Sequence, residues 1–320
     1  SHGVYSPSSS TPHPLPPTVT STREENKGLW LGLLGVVIFS LTMPMTRMAV
    51  GGADSPQLSA AFVTAGRAGL AAILAAAFIL VSNAERPRRE HMPAMLISAL
   101  GTVVGFPLFL ALALEQVDAV HASVITGVLP LATAVVAAIV FRQRPSWGFW
   151  VCAVLGCAVV LTFAVTQGAG AITGADGLLF VAMACAAGGY VAGVRLSQKM
   201  PAELVICWIL VGSSPVTLPA TIWLWPSQPV NVSSWVGFAY VTVFSMWLGF
   251  FAWYRGLALG GAVRVSQVQL LQPFLGMLFA VPILGEDLDL STVGFAVAIV
   301  AVVFLGRRMP TQRVRPGTQG

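Results

Sequence analysis

Residues 113–144, ALEQVDAVHASVITGVLPLATAVVAAIVFRQR, and residues 256–287, GLALGGAVRVSQVQLLQPFLGMLFAVPILGED, read as two copies of one helix pair set 143 positions apart. The register matches Leu114 with Leu257, Ala119 with Ala262, Val120 with Val263, Ser123 with Ser266, Pro130 with Pro273 and Ala137 with Ala280. Both copies are apolar over lengths that suit a bilayer. A chain built from two such halves, each with an odd number of spans, must carry the second half upside down relative to the first.

Composition agrees with a bilayer as the solvent. Hydrophobic residues make up 56% of the chain and charged residues 9%, against roughly 25% charged in soluble domains. A hydrocarbon core of about 30 Å needs about 20 apolar helical residues. Ten such segments are expected, over approximately 28–49, 58–81, 93–114, 119–141, 147–166, 175–195, 203–223, 235–256, 262–284 and 290–306. Continuous apolar runs such as AGLAAILAAAFILV exclude the alternating strands of a membrane barrel. The expected fold is an all-α integral membrane protein with ten transmembrane helices arranged as two inverted five-helix repeats. Residues 27–166 form the first repeat and 174–308 the second, joined by the Gly-rich, uncharged stretch TQGAGAITG. Residues 1–26, rich in Ser, Thr and Pro, and 309–320 are expected to be tails, the first of them disordered. The opening Ser1-His2-Gly3 reads as a processing remnant, and the first span is expected to act as the insertion signal.

Lys and Arg fall before the first span, after each even one and after the last, which predicts cytoplasmic termini. Because these charges alternate with spans, they do not form a nucleic-acid surface. Cys152, Cys157, Cys185 and Cys207 lie inside spans with no CxxC spacing and read as packing residues. No metal site and no cofactor are expected. GxxxG spacings at Gly28/Gly32, Gly101/Gly105, Gly189/Gly193 and Gly256/Gly260 suit close packing inside one bundle, so a monomer is expected.

Polar groups inside spans are costly and mark candidate sites. Pro130 and Pro273 each remove a backbone donor near a span centre and are expected to kink their helices, giving two hinges at equal depth. Ser123 and Thr126 share a face with Pro130, and Ser266 and Gln269 share one with Pro273, with Gln272 close by. Interhelical hydrogen bonding accounts for the hydroxyls as well as a cavity does, whereas two glutamines in one helix favour a substrate-binding cavity. Arg67, the deepest charge, either meets a substrate carboxylate or braces neighbouring carbonyls. Trp247 is too deep for an interfacial belt and is expected to line the apolar part of the cavity. Glu115 and His121 frame an outer turn, where they are either solvated or proton-sensing.

The ten-span pattern, FSLTMPMTR closing the first span, Arg67, the paired register at 119, 123, 130 and 262, 266, 273, and LGEDL at 284–288 together resemble the drug/metabolite transporter superfamily, EamA type. Within it the chain is similar to bacterial amino-acid exporters of the YddG type. The resemblance implies a secondary transporter that exports small metabolites, amino acids including aromatic ones, across the inner membrane by alternating access. Phe39-Ser40 departs from the family's Trp-Gly, and Gln143 stands where an acidic residue is usual, while Glu286 retains it. A multidrug effluxer for lipophilic cations is the rival within transport, yet the first span holds no carboxylate. An intramembrane enzyme lacks its motifs here, with no HExxH, no GxSxG and no mid-span pair of aspartates. A receptor has no evident use for an inverted repeat. No carboxylate lies at a span centre, so facilitated diffusion is the simplest coupling, with proton antiport through His121 or Glu115 as the alternative.

Overall fold

The computed structural model describes residues 22–140, 142–167, 171–197, 199–260, 267–309 and 311–313. Among them eight helices are long and apolar enough to cross a bilayer: Asn26–Val50, Ala60–Ser82, Arg89–Leu114, Ala119–Val140, Trp147–Thr166, Gly174–Ser197, Glu203–Trp223 and Val232–Gly256, here spans one to eight. Two shorter apolar helices, Val268–Leu284 and Leu290–Gly306, stand where spans nine and ten are expected and are given those numbers. Span nine is short because its expected start falls in 261–266, outside the described residues. The first helix begins at Thr22, inside the stretch expected to be a tail, and Thr311–Arg313 pairs antiparallel with Gln143–Pro145.

Among the described residues, spans one, four and nine break or change helix type just ahead of a proline. Span one breaks between Thr22–Ser40 and Thr42–Val50, before Pro44. Span four breaks between Ala119–Thr126 and Leu129–Val140, before Pro130. In span nine a 3-10 turn, Gln267–Leu271, gives way to Gln272–Leu284, with Pro273 in the first turn of the α-helix. The cause is common to all three. A proline ring clashes with the carbonyl four residues back and offers no N–H, so it is tolerated in the first turn of a new helical piece.

Spans three and eight carry a different irregularity. Ala99–Gly105 and Val241–Leu248 are π-helical, and the 143-residue register carries one almost onto the other. The same register relates Arg142 and Gly285, both left-handed at φ 50° and 69°.

Span one lies along span eight and span three along span six, while spans two and seven, four and nine, and five and ten pack together. Small residues permit the closest of these approaches. A Cβ on Gly256 would sit 2.6 Å from the Gly32 nitrogen, and one on Gly101 would sit 2.7 Å from the Gly189 Cα. The GxxxG stretches therefore meet one another inside the bundle. Large apolar side chains such as Ile73, Leu80, Leu96, Val154 and Val216 stay exposed on the outside, as a lipid-facing surface requires.

Candidate functional site

The three interrupted spans converge. Ser40 and Met43 from span one, Ser123, Thr126, Gly127, Leu129 and Pro130 from span four, and Gln269, Gln272, Pro273 and Gly276 from span nine line one pocket. Its volume is about 30 Å³, a tenth of the smallest typical small-molecule site. A Cβ on Gly276 would lie 2.6 Å from the Ser123 hydroxyl, so this glycine sets the wall-to-wall distance.

The hydroxyls are oriented by their own helices. Ser40, Ser123 and Thr126 donate to the carbonyls of Val36, Ala119 and Ala122, each at 2.7 Å. Their oxygen lone pairs are thereby left as acceptors, and the two glutamine amides add both donors and acceptors. Among the described residues no ionised side chain lines this pocket. Its chemistry suits a small solute that carries hydrogen-bonding groups.

Arg67 lies beside the pocket rather than in it. It is 3% exposed, and its Nη2 donates to Ser245 Oγ at 3.0 Å. Ser245 Oγ is 2.8 Å from Thr42 Oγ1, and Thr42 sits in sequence between the lining residues Ser40 and Met43. Nε and Nη1 of Arg67 find no hydrogen-bond partner among the described residues. Tyr190 is close enough to act on it electrostatically.

At the outer end, named for the side opposite the basic loops, Glu286 closes the entrance to span four. Its two carboxylate oxygens accept from Ala119 N and Val120 N, both at 2.8 Å, capping that helix. The left-handed Gly285 turns the chain so that Glu286 reaches it. Burial pushes the Glu286 carboxyl above its ordinary range, against the pull of those two N–H groups. Arg47 donates to the Leu114 carbonyl and lies 3.6 Å from Asp118. Glu115 Oε1 accepts from Ala60 N at 3.2 Å and so caps span two, while His121 Nε2 is 2.7 Å from Asp176 Oδ1, which also accepts from Thr173 through Oδ2. Both outer residues singled out in the sequence are thus held by partners in neighbouring spans.

The structure brings Ser123, Thr126, Pro130, Gln269, Gln272 and Pro273 together. Trp247 is elsewhere, with its ring edge-on to Phe78 and Phe251 at 6.4 and 5.3 Å and beside the Cys207 thiol. Ser266 lies outside the described residues. Span one's contribution, Ser40 and Met43, went unread, although a Ser and Thr flanking Leu41 just before Pro44 carry the same signal as span four. Ser245 as the partner of Arg67 had no signal, since the two are 178 residues apart in the chain.

The EamA-like transporter family model matches residues 26–165 and 173–307. An uncharacterized transporter of Bacillus subtilis (strain 168), YdeK, is 39% identical over 282 residues, 87% of this chain and 96% of the relative. A second from the same organism, YyaM, is 24% identical over 290 residues, 86% of this chain and 92% of its own. A solved structure described only as the crystal structure of a protein aligns with a TM-score of 0.60 over 88% of this chain and 98% of that one, at 16% identity, a likeness of fold alone. With two matched segments that together span nearly all the apolar helices, this multi-pass membrane protein belongs to the EamA-like transporter family.

Proposed function

We propose that the chain is a secondary transporter that exports small metabolites, foremost amino acids including aromatic ones, across a bacterial inner membrane by alternating access. The observation that carries this reading is the uncharged polar pocket where three proline-interrupted spans converge. Its hydroxyl acceptors and glutamine amides match the ammonium and carboxylate of a zwitterion without demanding a fixed net charge. Gln269, Gln272, Ser123 and Thr126 bind the solute, with Ser266 as the register partner of Ser123. Pro130 and Pro273 are the hinges, because the helix pieces around them have already lost hydrogen bonds that a rigid span would have to break.

The ten spans form two inverted five-helix repeats, 27–166 and 174–308. Support comes from the packing pairs, which are unchanged when spans one to five exchange with six to ten, as a pseudo-twofold axis demands. The protein acts as a monomer with cytoplasmic termini. On the inner side an apolar vestibule of about 490 Å³, bordered by Phe78 and Phe251, receives the solute, and Trp247 packs behind that wall. Apolar burial contributes about 25 cal/mol per Å², so aromatic side chains gain binding there without matched polar partners. Arg67 stands ready to meet a carboxylate as the pocket opens, its two unpartnered nitrogens being the ground for that role.

Counterflow in proteoliposomes tests the proposal. Labelled phenylalanine, leucine and alanine should exchange, and Trp247→Ala should slow phenylalanine more than alanine. Exchange of sugar phosphates or lipophilic cations with no amino acid exchanged would overturn it.

A further inference from the structure

Span two ends at Ser82, Asn83 turns left-handed at φ 48°, and residues 84–88 run without regular structure into the turn Arg89–His91 that opens span three. This loop, ERPRREH, and the residues that lead into span seven enclose a cavity of about 540 Å³, within the range of small-molecule sites.

Three cations, Arg86, Arg88 and Lys199, line it with the carboxylates of Glu85 and Glu90. Glu90 is already engaged, its Oε1 lying 3.4 Å from His91 Nε2 and 4.0 Å from Arg88 Nη1. Arg86 and Lys199 have no ion-pair partner among the described residues. Two further groups on the lining are unmatched. His91 is 6% exposed and its Nδ1 has no hydrogen-bond partner, and the indole Nε1 of Trp208 is buried without one. A buried polar atom left unpaired is costly; both sit on residues of one wall with almost no accessible surface of their own, and a small turn of each ring brings them to a ligand that supplies a donor and an acceptor. In the neutral ring, with a carboxylate facing Nε2, the proton sits on Nε2 and leaves Nδ1 as an acceptor. Trp208 can only donate.

The cavity opens at the ends of apolar spans, which is the level of lipid headgroups. Immediately beyond His91, the side chains of Met92, Leu96 and Leu100 recur every four residues and are 54%, 60% and 58% exposed, so the helix presents a lipid-facing stripe beside the cavity. We propose that this cavity is a binding site for the headgroup of an anionic phospholipid with a hydroxylated phosphodiester, as in phosphatidylglycerol: the phosphate between Arg86, Lys199 and the Trp208 N–H, a headgroup hydroxyl donating to His91 Nδ1. The site is independent of the solute carried through the bundle.

Native mass spectrometry of the purified full chain, titrated with phosphatidylglycerol, phosphatidylcholine or inorganic phosphate, tests it. Phosphatidylglycerol should be retained well above phosphatidylcholine. Arg86→Gln with Lys199→Gln should weaken its retention about thirtyfold, the effect of two basic residues at a membrane surface, while Arg308→Gln leaves it unchanged. Trp208→Phe, which keeps the ring and removes the donor, should weaken it about tenfold with an unchanged elution profile. Equal retention of phosphatidylcholine, or an unaltered double variant, would overturn the site. Retention of inorganic phosphate with no preference among lipids would overturn the lipid as its source.

Discussion

The π-helical turns of spans three and eight occupy corresponding places in the two halves and do different work. In Ala99–Gly105 the backbone itself is the contact surface, because Gly101 and Gly105 lie against Gly189 and Cys185 of span six. In Val241–Leu248 the register partner of Gly101 is Phe244, 43% exposed, and the turn instead carries Ser245 to Arg67 and Thr42. Thr102, the register partner of Ser245, spends its hydroxyl on the Ser98 carbonyl of its own helix at 2.6 Å. Duplication has kept the backbone irregularity and let the side chains part. One copy holds the bundle together, and the other presents polar groups beside the pocket.

The sharpest way to break this comparison is to load both turns equally. Gly101→Leu should destabilise by about 3 kcal/mol or more, since its Cβ meets span-six backbone that cannot rotate away. Phe244→Leu, at a lipid-facing position, should stay within about 0.5 kcal/mol. Yield of monodisperse protein and thermal unfolding measure both, and equal losses would mean that the two turns bear the same load.

Next in size is the pair of hydroxyls. Ser245→Ala removes the partner of a buried guanidinium and should cost about 2 kcal/mol, whereas Thr102→Ala gives up an own-helix bond worth about 0.6 kcal/mol or less. Unfolding midpoints of the two variants read the difference directly.

Smaller again is the effect at the paired left-handed residues. Gly285→Ala should cost about 1 kcal/mol, because a Cβ is disfavoured at φ 69°. Arg142→Gly, at φ 50°, should gain a few tenths of a kcal/mol, the relief being partly offset by the entropy of glycine. A loss at both positions would show that Arg142 makes contacts that outweigh its backbone.

The smallest expected effect is a pH slope. Glu286 has its carboxyl raised by burial, so the folded state holds that proton more tightly than the unfolded chain does. Its contribution is therefore fully present below the ordinary carboxylate value of about 4.3 and is lost as pH rises through the raised value. Gln143, its register partner, is already an amide. Glu286→Gln should flatten the fall in unfolding temperature between acid and neutral pH, and an unchanged slope would place the titrating group elsewhere.

The apolar spans were legible because a bilayer imposes a length on them, and Pro130 and Pro273 were legible because a missing N–H acts locally. The stripe from Ser123 to Pro130 and the one from Gln269 to Pro273 follow from helical spacing and do face one pocket. What was not legible depends on distant chain. No residue in ALGTVVG or VTVFSMWL announces a π-turn, although Pro107, which offers no N–H, lies just beyond the first of them. Depth and an indole N–H that wants a partner point Trp247 toward a cavity, but neither says which neighbour a helix face meets. Phe78 and Phe251 decided it. Glu286 was visible as an acidic residue, but its partners, Ala119 N and Val120 N, are 167 and 166 residues away.

The pocket of about 30 Å³ between spans one, four and nine has an osmotic consequence. To reach even the smallest volume usual for a solute site, roughly 300 Å³, it must take in the equivalent of about nine waters. In the proposed alternating-access cycle, that hydration accompanies each opening made without solute. Polymers too large to enter should hold the empty protein shut by lowering water activity, and should slow its unloaded return more than its loaded step.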